Sequence, residues 1–63
     1  MNRQETLNIM LEGIVQDMGD LYTRSGVSEE DKKSYLSQAN ESFKILCTGM
    51  YDRLLELGVI KDA

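Results

Sequence analysis

Cys47 is the single cysteine among the 63 residues, and its thiol would be the most reactive nucleophile of the chain. A catalytic thiol needs a positioned base, and the sequence contains no histidine to supply one. Cys47 also follows Leu46 and lies one turn from Met50, an apolar setting that is typical of a buried and inert thiol. We therefore expect no catalytic cysteine.

Three carboxylates in the N-terminal half, Glu12, Asp17 and Asp20, lie close enough in sequence to be considered for acid–base work. Their positions belong to the polar face of a helix, where acids solubilise the surface. Without histidine there is no Glu-x-x-His motif for a di-metal site, and one cysteine does not make a zinc site. The glycines are isolated, so no phosphate loop is predicted. We expect no enzyme, no metal and no cofactor.

The charge pattern excludes further classes. The net charge is −4, and the seven Lys and Arg residues are scattered, so we expect neither nucleic-acid binding nor attachment to an anionic membrane. No apolar stretch approaches the ~20 residues that a membrane span needs, and the N-terminus lacks the pattern of a signal peptide. A single unpaired thiol fits a reducing compartment, so the expected location is the cytoplasm.

The elements that carry these residues are predicted to be two helices, at about residues 3–24 and 29–57. From Leu7 to Tyr22, apolar residues recur at intervals of three and four, the spacing of one helix face. Asn2 or Thr6 can cap the first helix, and Gly26 can end it in a left-handed conformation. Ser28 then caps the second helix, with three acids in its first turn.

The second helix carries a heptad pattern. The first series repeats every seven residues and consists of Leu36, Phe43, Met50 and Leu57. A second series consists of Ala39 and Leu46, with Leu54 one residue beyond the next position. Such a pattern predicts left-handed packing against a nearly parallel helix axis. Gly58 is predicted to end the helix, with the following chain folding back in a Schellman-type stop.

The short link predicts that the fold is all-α, an antiparallel two-helix hairpin occupying residues 1–63 as one domain. The N-terminus of the first helix should lie opposite Met50, so that the last two turns of the second helix have no cover within the chain. Two helices cannot enclose a core, so we expect a C2 homodimer forming a four-helix bundle, or a helix of another protein in the same place. The expected interface residues are Leu7, Met50, Tyr51, Leu54, Leu55 and Leu57.

Two smaller features each allow two interpretations. Ile9 and Gly13, with the similarly spaced Ile45 and Gly49, are either a second contact patch or ordinary exposed residues. Five acids near the turn form what we call the acidic tip, which is either a capped, solvated end or a knob that docks on a basic surface. The acidic tip consists of Asp17, Asp20, Glu29, Glu30 and Asp31.

The sequence therefore predicts a small non-enzymatic module for protein–protein interaction, an adaptor, regulator or inhibitor that acts as a helical homodimer. One alternative is an acidic inhibitor that docks on a nucleic-acid-binding protein through the acidic tip. Another is a structural subunit of a larger helical assembly. The expected partners are a second copy of the chain and another protein.

Overall fold

The computed structural model describes residues 2–61 and contains two helices, α1 (Arg3–Arg24) and α2 (Glu29–Glu56), with no strand in that range. The prediction of an all-α chain is confirmed, and the predicted helix bounds agree with the observed ones to within one residue. The predicted domain also included Met1, Asp62 and Ala63, which lie outside the described residues.

Both helices begin at the predicted side-chain caps. The side-chain oxygen of Asn2 accepts a hydrogen bond from the backbone N–H of Glu5 (2.8 Å), and Ser28 Oγ accepts one from Asp31 N–H (3.1 Å). Each cap satisfies one of the N–H groups that a helix start leaves without an intrahelical partner. Such a cap contributes about 1 kcal/mol, so the two together fix where the helices start.

Both helices end at a glycine with positive φ, Gly26 at 82° and Gly58 at 74°. Val27 N–H donates to Tyr22 O (3.0 Å), and Val59 N–H donates in the same way to Leu54 O (3.0 Å). These are the hydrogen bonds of the Schellman motif, in which glycine adopts the left-handed conformation at little steric cost. The predicted stop signals are therefore confirmed at both helix ends.

Contacts between the two helices occur near both ends of α1. At its start, Arg3 forms an ion pair with Asp52 (2.8 Å). Near its end, Lys32 Nζ donates to Thr23 Oγ1 (3.0 Å). Gly19 is buried there, and a Cβ added to it would lie 3.7 Å from Leu36 Cδ1. The helices therefore lie side by side, which is consistent with a helical hairpin.

The buried hydrophobic side chains of the described residues all belong to α2: Phe43, Cys47 and Tyr51. They are spaced four apart, along one ridge of the helix surface, which we call the inner ridge. Met50 and Leu57, which belong to the heptad series, lie outside this ridge and are 52% and 68% exposed. On the surface of a helix, residues seven apart and residues four apart lie along two different lines. α1 packs along the line of residues four apart, which is the inner ridge.

The molecule is long and thin, with extents of 40 × 17 × 17 Å. α1 buries no hydrophobic side chain completely, because its apolar stripe has a neighbour on one side only. Within residues 2–61, neither helix combines the length and the apolar character required to cross a membrane.

Candidate interaction surface

Large hydrophobic side chains are more often exposed than buried in this chain. Eight of them, among the described residues, are at least 46% exposed, against three buried in the inner ridge. The eight are Ile9, Leu21, Tyr35, Ile45, Leu46, Met50, Leu57 and Val59. Isolated exposed apolar residues are common, so the informative property is whether they are contiguous.

Four of the exposed residues form a contiguous stripe on α2, which we call the outer seam. With about 100° between successive residues of a helix, the five members of this stripe fall within an arc of about 60°. They are Tyr35, Ala39, Leu46, Met50 and Leu57. The outer seam runs beside the inner ridge and shares Ala39, Leu46, Met50 and Leu57 with the heptad pattern, and the last three of these are exposed.

The outer seam continues onto α1 near the turn. The rings of Tyr22 and Tyr35 meet edge to face, with their centroids 5.7 Å apart and their planes at 66°. Leu21, beside Tyr22, is 50% exposed. An edge-to-face pair adds about 0.5–1.5 kcal/mol beyond area burial, so this contact holds Tyr35 against α1 at one margin of the seam.

The predicted interface residues do not all lie at the surface. Tyr51 is only 3% exposed, so the prediction that it lies beyond the end of α1 is wrong. The guanidinium of Arg3 lies 4.8 Å from the centre of the Tyr51 ring, and it also pairs with Asp52. Because arginine has a long side chain, Arg3 lets α1 contact residues of α2 that lie beyond the first turn of the α1 backbone.

The other predicted interface residues divide into two groups. Leu7, Leu54 and Leu55 are partly buried, whereas Met50 and Leu57 are exposed. The uncovered end of α2 is therefore smaller than the sequence predicted. Leu46 and Tyr35 were missing from the predicted interface, although the heptad pattern contained Leu46. Arg3 was missed because apolar periodicity ignores charged residues; its sign, opposite to that of Asp52 at a similar distance from the turn, is the signal that could have found it.

An open groove of about 210 Å³ lies between the helices on another side of the molecule. Its polar rim is internally bonded: Gln4 Nε2 donates to Asn8 Oδ1 (2.9 Å), and Thr48 Oγ1 donates to Lys44 O (2.9 Å). Cys47 lines the groove but is 1% exposed, so its predicted burial is confirmed. The complete lining is Gln4, Leu7, Asn8, Leu11, Lys44, Cys47 and Thr48.

The predicted second patch is split between two sides of the molecule. Ile45 lies about 160° around α2 from Cys47, and Ile9 lies about 160° around α1 from Leu11. Each isoleucine is therefore turned away from the other helix, and they are 70% and 55% exposed. One surface containing both, as the sequence suggested, is not formed within a single chain.

The glycines of this patch provide a test. A Cβ at Gly13 or Gly49 would meet nothing within 4 Å, and both residues are in helix interiors. We expect Gly49→Ala to stabilise the fold by about 1 kcal/mol, since alanine restricts the unfolded chain. Thermal unfolding followed by circular dichroism measures this change. Gly26→Ala is the opposite control and should destabilise, because φ there is 82°. Weaker association of Gly49→Ala would instead indicate a contact between chains at this position.

The acidic tip is exposed and partly neutralised. All five of its residues are exposed, and Lys32 Nζ lies 2.9 Å from Glu29 Oε1. The acids of the first turn of α2 also face the positive end of the helix dipole, which favours them there. Among the described residues, no three His, Cys, Asp or Glu side chains are placed to share a metal ion.

The surface that stands out is therefore the outer seam, which combines exposure, apolar character and heptad spacing on one helix. It lies beside the inner ridge that α1 covers, and it joins α1 through the contact between Tyr22 and Tyr35. The groove has hydrogen bonds along its polar rim, and one acid of the tip, Glu29, pairs with Lys32. No family model, no curated protein and no solved structure matches the chain.

Proposed function

We propose that the chain is an antiparallel helical hairpin that pairs with a second copy through the outer seam to form a four-helix bundle. The dimer acts as a non-enzymatic interaction module, an adaptor, regulator or inhibitor that binds another protein. The observation that carries this proposal is the exposure of Leu46, Met50 and Leu57, the part of the heptad pattern that α1 does not cover.

Heptad spacing supports a helical occupant of the seam. Apolar residues at an average spacing of 3.5 keep one stripe facing a partner helix over several turns. Full burial of a side chain the size of leucine or methionine contributes about 1.5–3 kcal/mol. Leu46, Met50 and Leu57 are half to two-thirds exposed, so much of this stabilisation is still to be gained at each of them.

The small core supports association of the chain. A protein of about 60 residues buries only about 60% of the surface of its unfolded chain and is marginal alone. Such small folds usually gain stability from disulfides, metals or oligomerisation. A single cysteine excludes a disulfide within the chain, and the described residues bury three hydrophobic side chains. Pairing of hairpins would enclose a core that one hairpin leaves open.

The size of the face suits a second copy. A face 40 Å long and 17 Å wide has an area of about 700 Å², close to the ~800 Å² that each partner buries in a stable protein–protein complex. In an antiparallel hairpin, the partly exposed stripe of α1 lies on the same side as the outer seam. That stripe consists of Met10, Ile14 and Leu21.

The surface left after pairing is mostly polar or charged, with the acidic tip at the turn, and it is available to another protein. We place the dimer in the cytoplasm, because an unpaired thiol suits a reducing compartment. The proposed activity is thus recognition of a protein partner by a rigid helical surface.

Sedimentation equilibrium over a range of micromolar concentrations tests the proposal. We expect a species of twice the 7.2 kDa chain mass, with helicity that falls on dilution because folding and pairing are coupled. A stable, fully helical species of 7.2 kDa would contradict the pairing.

A further inference from the structure

A second hairpin could lie on the outer seam with its turn at the same end or at the opposite end. The two orientations bring different charged residues into contact. Resting on the proposed dimer, we infer that the partner lies with its turn at the opposite end, so that the two α2 helices run antiparallel across the seam. In this arrangement Arg53 of each copy pairs with the partner's Asp31.

A two-fold axis between facing hairpins lies either along the helices or across them. An axis along the helices places both turns at one end and sets α2 diagonally across the bundle from its own copy, beside the partner's α1. An axis across the helices places the turns at opposite ends. For full overlap of α2, which spans residues 29–56, the numbers of facing residues then add up to 85, the sum of 29 and 56.

The position of Arg53 favours the second arrangement. Arg53 and Asp31 lie within about 40° of each other around α2, on the same margin of the outer seam, and both are exposed. Their numbers add up to 84, within one residue of full overlap. With the turns at one end, Arg53 lies about 33 Å along the helix axis from the partner's Asp31, since the 22 residues between them rise 1.5 Å each, and the two cannot pair.

The sizes of the seam residues agree with the same register. Leu46 then lies beside the partner's Ala39, and Met50 beside the partner's Tyr35, since both pairs add up to 85. A large side chain next to a small one lets the two helices interdigitate at the density of a protein core.

The acidic tips give a third reason. Residues 17–33 contain five acids and three bases, a net charge of −2 at the turn end of each hairpin. Turns at the same end would place two such charges side by side. Turns at opposite ends separate them by about the 40 Å length of the molecule, several times the ~8 Å Debye length at physiological ionic strength.

Charge reversal tests the pairing of Arg53 with Asp31. We expect Arg53→Glu and Asp31→Lys each to raise the dimer dissociation constant about 10-fold, because two symmetric pairs are reversed at once. The double variant should return to within about twofold of the original value. Sedimentation equilibrium measures all three constants.

Glu30→Lys combined with Arg53→Glu is the matched control. Glu30 lies in the same turn as Asp31 but about 140° around α2 from Arg53. We expect no rescue from this pair. Equal rescue by Glu30→Lys, or no rescue by Asp31→Lys, would overturn the assigned orientation.

A distance measurement tests the orientation without altering the seam. Ser25 is exposed in the turn, so a spin label on Ser25→Cys can be attached while Cys47 remains buried, with mass spectrometry checking for single labelling. Pulsed electron spin resonance should give about 40 Å between the two labels. A distance below about 20 Å, two interaxial spacings, would overturn the orientation but leave the dimer intact. A monomer by sedimentation with no coupling between labels would contradict the dimer itself.

Discussion

Replacement of Tyr51 by alanine is expected to lower the free energy of unfolding at 25 °C by about 3–5 kcal/mol. Tyr51 is 3% exposed in the inner ridge, and its ring carries the guanidinium of Arg3 at 4.8 Å. Truncation of a buried aromatic side chain to alanine costs about 3–5 kcal/mol. A chain of this length has a total stability of about 3–9 kcal/mol, so the loss is at least a third of it. Chemical denaturation followed by far-UV circular dichroism measures the change.

Tyr35→Ala is the matched control for this truncation. Tyr35 is 46% exposed, and its ring meets Tyr22 edge to face, so its removal should lower the monomer stability by only about 0.5–1.5 kcal/mol. Because Tyr35 also belongs to the outer seam, both variants are compared at one fixed protein concentration at which the single chain predominates. If Tyr35→Ala destabilised the fold as much as Tyr51→Ala, the assignment of Tyr51 to the inner ridge would be wrong.

Met50→Glu is expected to raise the dimer dissociation constant at least about 100-fold. Met50 is 52% exposed in the single chain, where a glutamate would remain hydrated. In the proposed dimer it lies inside the outer seam, and each copy would bring one carboxylate into an apolar contact. A penalty of about 3 kcal/mol for an unpaired, partly desolvated charge accounts for this factor. Sedimentation equilibrium measures the constant, and circular dichroism checks the helicity.

Ile45→Glu is the matched control, an exchange of an exposed apolar residue for glutamate on the opposite side of α2. Ile45 is 70% exposed and points away from α1. We expect no change in the dissociation constant. The reverse result, with dissociation caused by Ile45→Glu and none by Met50→Glu, would move the interface to the side of Ile45 and Gly49.

The helix bounds followed from the sequence because their signals are local. Ser28 accepts its hydrogen bond from Asp31, three residues away, and Gly26 ends α1 through bonds that reach at most five residues back. Such interactions form whatever else the chain contacts. The same holds for the burial of Cys47, which its apolar neighbours on the helix surface indicated.

The sequence did not determine which face of α2 packs against α1 and which face stays exposed. Phe43 belongs both to the heptad series and to the ridge of residues four apart, so either line could have faced α1. The structure places α1 against Phe43, Cys47 and Tyr51 and leaves Met50 and Leu57 exposed. Periodicity shows that a helix has apolar stripes, but it does not say which neighbour covers each stripe.

The sequence by itself determined that this protein is built of two capped helices, that its thiol is buried, and that α2 carries more apolar surface than α1 can cover. Only the tertiary structure decided how far along α2 the side chains of α1 reach. Arg3 extends along α2 to Tyr51 and Asp52, which moves Tyr51 from the predicted free end into the core. The physical reason is that a long charged side chain covers apolar surface through its stem and guanidinium, an effect that apolar spacing does not register.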